Sequence, residues 1–205
     1  MRIKVCGMRN DDNIERLLEL QPDYMGMIFY DKSPRFVGNK ASKIQKQKYA
    51  YTRKVGVFVN ATDDYIWQTV DEFGLDMVQL HGNESPEQCA KLRANIPVIK
   101  AMSVKTEDDV VRAKLYEDFV DLLVFDTSTK GYGGSGQKFD WNLLASVNLK
   151  TNFLLSGGLG ADDMQAVRQM TLPQMIGVDL NSKFEVAPAL KDIELLRSAF
   201  DIIRK

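Results

Sequence analysis

A closed (β/α)8 barrel in a single α/β domain is the fold predicted here, on three observations. Eight short apolar runs alternate with helical patterns, their spacing is near even, and no linker or composition break divides the 205 residues. The alternation also fits an open doubly wound sheet. Eight near-even units favour the closed form over residues 1–205, although the chain is short for it and most loops must be brief.

The first strand is "RIKVC" (2–6), where alternation puts Ile3 and Val5 on the face toward the helices and Lys4 and Cys6 toward the interior. "YMGMIF" (24–29) is the second, and a helix is expected over 40–49, "KASKIQKQKY", although that segment is basic and poorly periodic. "KVGVFV" (54–59) and "DMVQL" (76–80) follow, the latter setting Gln79 and His81 on the interior parity. Ser85 before Pro86 is a helix N-cap with proline at the first helical position, and Cys89 beyond it reads as a small apolar helix residue. After "PVIKA" (97–101), Thr106 and Asp109 form a capping box with Asp in place of Glu. "DLLVF" (121–125), "NFLLS" (152–156) and "QMIGVD" (174–179) complete the set of strands, and about eight helices are expected between them. Ala189, Ile193, Leu196, Phe200 and Ile203 form a closing amphipathic stripe that reads as core contact.

Composition narrows the function. Lys+Arg and Asp+Glu number 27 and 28, so no broad nucleic-acid or membrane surface is expected and an anionic ligand needs local groups. The N-terminus lacks a signal-peptide h-region and no run of 18 apolar residues occurs, which predicts a soluble cytoplasmic protein. Two distant cysteines without CxxC make disulfides and a metal site unexpected.

In such a barrel the active site lies where the strands end. Cys6 ends the first strand, before Gly7, and its thiol reads as a nucleophile, a base or an inert group. Asp126 ends the sixth, where a carboxylate commonly caps the next loop. More than a dozen residues and four glycines separate it from the next helix start near Asp140, which suggests a covering lid. "GYGGSG" within that loop matches G-x-G-x-x-G only formally, because no tight strand-to-helix turn surrounds it. "LSGGLG" (155–160) after the seventh strand offers backbone N–H groups from Gly157 and Gly158 just before a helix. With "DLNS" (179–182), carrying Asn181 and Ser182, it makes a phosphate site. Arg35, after the second strand, suits bidentate grip of a carboxylate, against the ordinary reading of a solvated arginine. His81 and Asp179 are possible pocket-lining residues, a hydrogen-bonded structural role being the alternative for His81.

Together these stretches resemble the phosphoribosylanthranilate isomerase family. The resemblance rests on "KVCGMR" (4–9), "SPRFV" (33–37), "VGVFVN" (55–60), "VQLHG" (78–82), "FDTSTKGYGGSGQKFDW" (125–141), "SGGL" (156–159) and "GVDLNSKFE" (177–185), in family order along almost the whole chain. It implies a TIM barrel and a cofactor-free Amadori rearrangement of a phosphoribosyl amine in tryptophan biosynthesis. The substrate is a small molecule, and the family includes monomers and homodimers. By resemblance Cys6 falls on the general base, Asp126 on the general acid, Arg35 on the residue binding the anthranilate carboxylate, and the "SGGL" and "DLNS" loops on the phosphate site. The related histidine-pathway isomerase resembles a barrel with aspartate ending strand one, which Cys6 argues against. Two departures stand out: Lys183 where glycine is common, and Ser156 where alanine is common.

Overall fold

The computed structural model describes residues 1–38, 43–127, 140–145 and 147–205. Its centre is a closed barrel of eight parallel strands in sequence order: β1 (Arg2–Val5), β2 (Tyr24–Ile28), β3 (Arg53–Phe58), β4 (Met77–Leu80), β5 (Val98–Val104), β6 (Leu122–Thr127), β7 (Phe153–Leu155) and β8 (Met175–Leu180). β8 closes on β1, with Lys4 opposite Asp179 and Val5 opposite Leu180. Each predicted apolar run is a strand, which decides the fold in favour of the closed form.

Strand alternation divides the core in two. Tyr24, Val55, Met77, Ile99, Ala101, Leu122, Val124 and Leu154 fill the barrel interior. Ile3, Val5, Met25, Met27, Phe58, Val78, Leu80, Leu123 and Phe125 face outward to the helices.

Outside the sheet lie α1 (Asp11–Leu18), α2 (Lys43–Lys46), α3 (Asp63–Phe73), α4 (Pro86–Arg93), α5 (Glu107–Ala113), α6 (Met164–Gln169) and α7 (Ile193–Arg204). Asn10, Thr62, Ser85 and Asp192 each cap a helix by accepting a backbone N–H through the side chain. Cys89 is fully buried on α4, in the outer core. At α5 the Asp109 carboxylate accepts from the Thr106 N–H at 2.9 Å, as the capping-box spacing predicts.

Three expectations need correction. The helix expected over 40–49 is a single turn, α2; the basic segment has too few apolar positions to seat a longer helix, and residues 39–42 lie outside the described residues. After β6 the unit has no α-helix among the described residues, only a 3-10 turn over Trp141–Leu144 capped by Asp140. Ala189 continues the α7 stripe in sequence but precedes the helix, at φ 65°, in a turn between two added strands, β9 (Glu185–Ala187) and β10 (Leu190–Lys191). The rest of the stripe is buried as expected. Among the described residues, no helix is long and apolar enough to cross a membrane.

Candidate active site

The inner-facing residues at the C-terminal strand ends gather at one mouth: Cys6 after β1, His81 after β4, Asp126 in β6, Ser156 after β7 and Asp179 in β8. Cys6 is 5% exposed, and its amide donates to the Leu180 carbonyl at 2.9 Å, continuing the β1–β8 ladder by one residue. A Cβ at Gly26 of β2 would stand 2.8 Å from the Cys6 sulfur, so the thiol occupies the space that this missing side chain leaves. Gly7 turns the chain at φ 79°. A side chain there would meet Arg35 at 2.8 Å and Asn181 at 2.9 Å.

Below Cys6, Lys4 is fully buried and donates to Asp179 Oδ2 at 2.8 Å. Burial pushes the Cys6 thiol above its ordinary value of 9.0; Lys4, which also hydrogen-bonds it, opposes the shift, Asp179 adds to it and Lys191 opposes it. For Lys4 burial works against the charge, but the anionic partners Asp179 and Cys6 outweigh it and hold the ammonium above its ordinary range. Burial raises Asp179 too, with Lys4 opposing and Asp126 reinforcing. Asp179 Oδ1 has no described partner. The thiol therefore shares its nearest cation with a carboxylate.

Asp126 is both loop cap and mouth residue. Its Oδ1 accepts from the Thr127 N–H at 2.8 Å, while Oδ2 lies 3.4 Å from His81 Nε2. His81 Nδ1 in turn meets Gln79 Nε2 at 3.2 Å. The chain Gln79–His81–Asp126 suits either proton position. With Nε2 protonated the ring donates to a carboxylate; with Nε2 bare it accepts from a carboxylic acid, and the Gln79 amide serves Nδ1 in both cases by turning over.

Beside Asp126 runs the glycine pair. Gly157 and Gly158 have φ 88° and 68°, and a Cβ on Gly157 would stand 2.3 Å from Thr127 Oγ1 and 3.0 Å from Asp126 Oδ1. Only glycine fits that position. The turn that follows differs from the expected helix start: Gly160 N–H is taken by the Asp163 carboxylate at 2.7 Å, and a 3-10 turn precedes the short α6. The amides of Gly157 and Gly158 have no acceptor among the described residues and remain the donors on this side. Asn181 and Ser182 follow the neighbouring strand β8, at the start of the 3-10 turn Ser182–Phe184. Ser156 is buried and its Oγ leans on the Asp179 carbonyl at 3.4 Å, so the serine ties β7 to β8. Lys183 lies against Gly160, with its Cβ 3.8 Å from where a glycine substituent would begin.

Arg35 is engaged by Glu185 of β9, with Nε at 2.9 and 3.0 Å from the two carboxylate oxygens and Nη2 at 2.7 Å from Oε2. The residue is partly buried, not solvated. Glu185, Lys191 and Gly26 belong to this site and escaped sequence reasoning. Gly26 had a signal, a glycine midway through a strand. Glu185 and Lys191 had none, because the Arg35–Glu185 pair spans 150 residues. The expected lid falls on residues 128–139, outside the described residues.

Residues 3–202 match the family of N-(5'-phosphoribosyl)anthranilate (PRA) isomerase. The N-(5'-phosphoribosyl)anthranilate isomerase of Parabacteroides distasonis is 43% identical over 201 residues, 97% of this chain and 91% of that protein. The crystal structure of phosphoribosyl anthranilate isomerase from Thermotoga maritima superposes with a TM-score of 0.88 at 32% identity, covering 100% of this chain and 98% of the other. A structure of such an isomerase in complex with reduced 1-(o-carboxyphenylamino)-1-deoxyribulose 5-phosphate matches at 0.83 and 29% identity, over 100% and 98% of the two chains. On its sequence, its closed barrel and its likeness to these enzymes, the chain belongs to the N-(5'-phosphoribosyl)anthranilate isomerase family of tryptophan biosynthesis.

Proposed function

We propose that this isomerase converts N-(5-phospho-β-D-ribosyl)anthranilate to 1-(2-carboxyphenylamino)-1-deoxy-D-ribulose 5-phosphate without a cofactor, with Cys6 as general base and Asp126 as general acid. One observation carries the assignment: a thiol, a carboxyl, a glycine-rich anion cradle and an arginine share one barrel mouth.

The chemistry needs these types at separate strand ends. Asp126 gives its proton to the ring oxygen as the C1′–O bond breaks, leaving a protonated Schiff base. Cys6, as thiolate, removes the C2′ proton, and the electron pair left behind neutralises the iminium to an enolamine. The C2′ hydroxyl then loses its proton and C1′ gains one, which gives the ketone. Gly157, Gly158, Asn181 and Ser182 hold the phosphate, and Arg35 holds the anthranilate carboxylate. Asp179 and His81 act behind the reacting pair, on Lys4 and on Asp126.

Purified protein supplied with phosphoribosylanthranilate, free of metal and cofactor, is expected to consume it. Cys6→Ser and Asp126→Asn are each expected to lose about 10²–10⁴-fold in kcat, the usual worth of one general acid or base. Both should still bind the reduced product analogue. Near-wild-type turnover in both variants would refute the assignment.

A further inference from the structure

Arg35 and Asn181 come from distant parts of the chain, yet one buried carboxylate–ammonium pair holds both. Glu185 takes the Nε–Nη2 edge of Arg35 and also accepts from Lys191 Nζ at 2.5 Å and from the Ala189 amide at 3.2 Å. Lys191 passes the constraint on, donating to Asn181 Oδ1 at 2.7 Å and to its carbonyl at 3.3 Å. Side-chain exposure is 12% for Arg35, 5% for Glu185 and 0% for Lys191, so these contacts are sheltered from water. Burial works to raise the Glu185 carboxyl, but Arg35 and Lys191 outweigh it and hold it below its ordinary 4.5, while burial pulls Lys191 below its ordinary 10.5 against the pull of Glu185 and Cys6.

The geometry of the donors gives this network a direction. A guanidinium offers a carboxylate either its side edge, Nε with Nη2, or its end, Nη1 with the second Nη2 hydrogen. Glu185 occupies the side edge, which leaves the end for a second carboxylate. A lysine ammonium only donates, so the Asn181 oxygen must face Lys191 and the amide nitrogen must face away. Arg35, Asn181 and Lys191 converge on Gly7, beside Cys6, with Lys191 Nζ 3.5 Å from where a Gly7 side chain would begin.

We propose that Glu185 and Lys191 are positioning residues that aim the two substrate grips: Glu185 turns the end of Arg35 to the aromatic carboxylate, and Lys191 turns the Asn181 N–H groups to the phosphate. The inference rests on the substrate proposed above. It makes the β9–β10 hairpin the element that selects phosphoribosyl amines bearing a carboxylate.

Two unreactive probes separate this role from a general structural one: the reduced product analogue, and the same molecule without its carboxylate. Titration calorimetry with Glu185→Gln is expected to show the carboxylated probe binding about tenfold weaker or worse, the loss of one charge-assisted hydrogen bond. The decarboxylated probe should change less than about twofold, the effect of a bond it never made. Glu185→Asp, which keeps the charge but shortens the arm, should show the same selective loss and serves where the glutamine variant does not fold. Lys191→Met should weaken both probes alike, since both carry the phosphate. Equal losses of the two probes in the Glu185 variants would reduce Glu185 to scaffolding. Tighter binding of the carboxylated probe would make it a competitor for Arg35. Either result overturns the proposal. If wild-type protein binds neither probe, the substrate assignment itself fails, a separate outcome.

Discussion

At the scale of single residues, Cys6 is shaped by what its neighbours lack and what they share. Gly26 makes room for the sulfur, so Gly26→Ala should displace the thiol and lower kcat by about 10²-fold, the usual effect of moving a reacting group by about an ångström. The variant is expected to remain folded, as circular dichroism would check; unchanged kcat would mean that the sulfur tolerates the shift. Lys4 is shared with Asp179, and burial holds the thiol above 9.0. Position and parity alone leave Cys6 open between nucleophile, base and inert group, because they do not reveal its charged neighbours on β8 and β10, Asp179 and Lys191.

At the scale of elements, the strands were legible and the small connecting pieces were not. Each strand announces itself through a run of five or six residues of apolar or alternating pattern; β7 itself has three residues but lies within such a run, 152–156. The hairpin of β9 and β10 has only three and two residues, too few for any period, and Ala189 sits in helical register by coincidence. The turn at Trp141–Leu144 carries a proper cap in Asp140, so its start was visible but its brevity was not. The candidate site divides the same way. Cys6, Asp126, His81 and the glycine pair follow from strand ends, whereas Glu185 and Lys191 act through pairings with no local mark. The loop after β7 carries its own prediction. Gly157→Ala forces a Cβ onto Thr127 at 2.3 Å and an unfavourable φ of 88°. It should cost about 1–3 kcal/mol of stability and raise KM for the phosphorylated substrate. Chemical denaturation and steady-state kinetics measure the two effects separately.

At the scale of the whole molecule, closure of the barrel brings charge as well as backbone together. Glu185 is held below 4.5 in the folded chain, so its contribution to stability is complete above that value and is lost as pH falls through the lower folded value. Melting temperature should therefore fall on acidification below 4.5, and less steeply for Glu185→Gln, which has no carboxylate to protonate. Equal slopes for the two proteins would show that other carboxylates carry the acid response.

The β1–β8 seam also has a meaning in time. Lys4 and Arg35 precede Asp179 and Glu185 in the chain by 175 and 150 residues, so in synthesis they emerge well before these partners and Lys191. Until they arrive, the Lys4 ammonium has no counter-ion and the Arg35 guanidinium no carboxylate partner. A nascent barrel short of its final strand is thus open and lacks the partners of Lys4 and Arg35. Closure of the barrel and pairing of these charges are one event, set by the arrival of the last strand and the hairpin behind it.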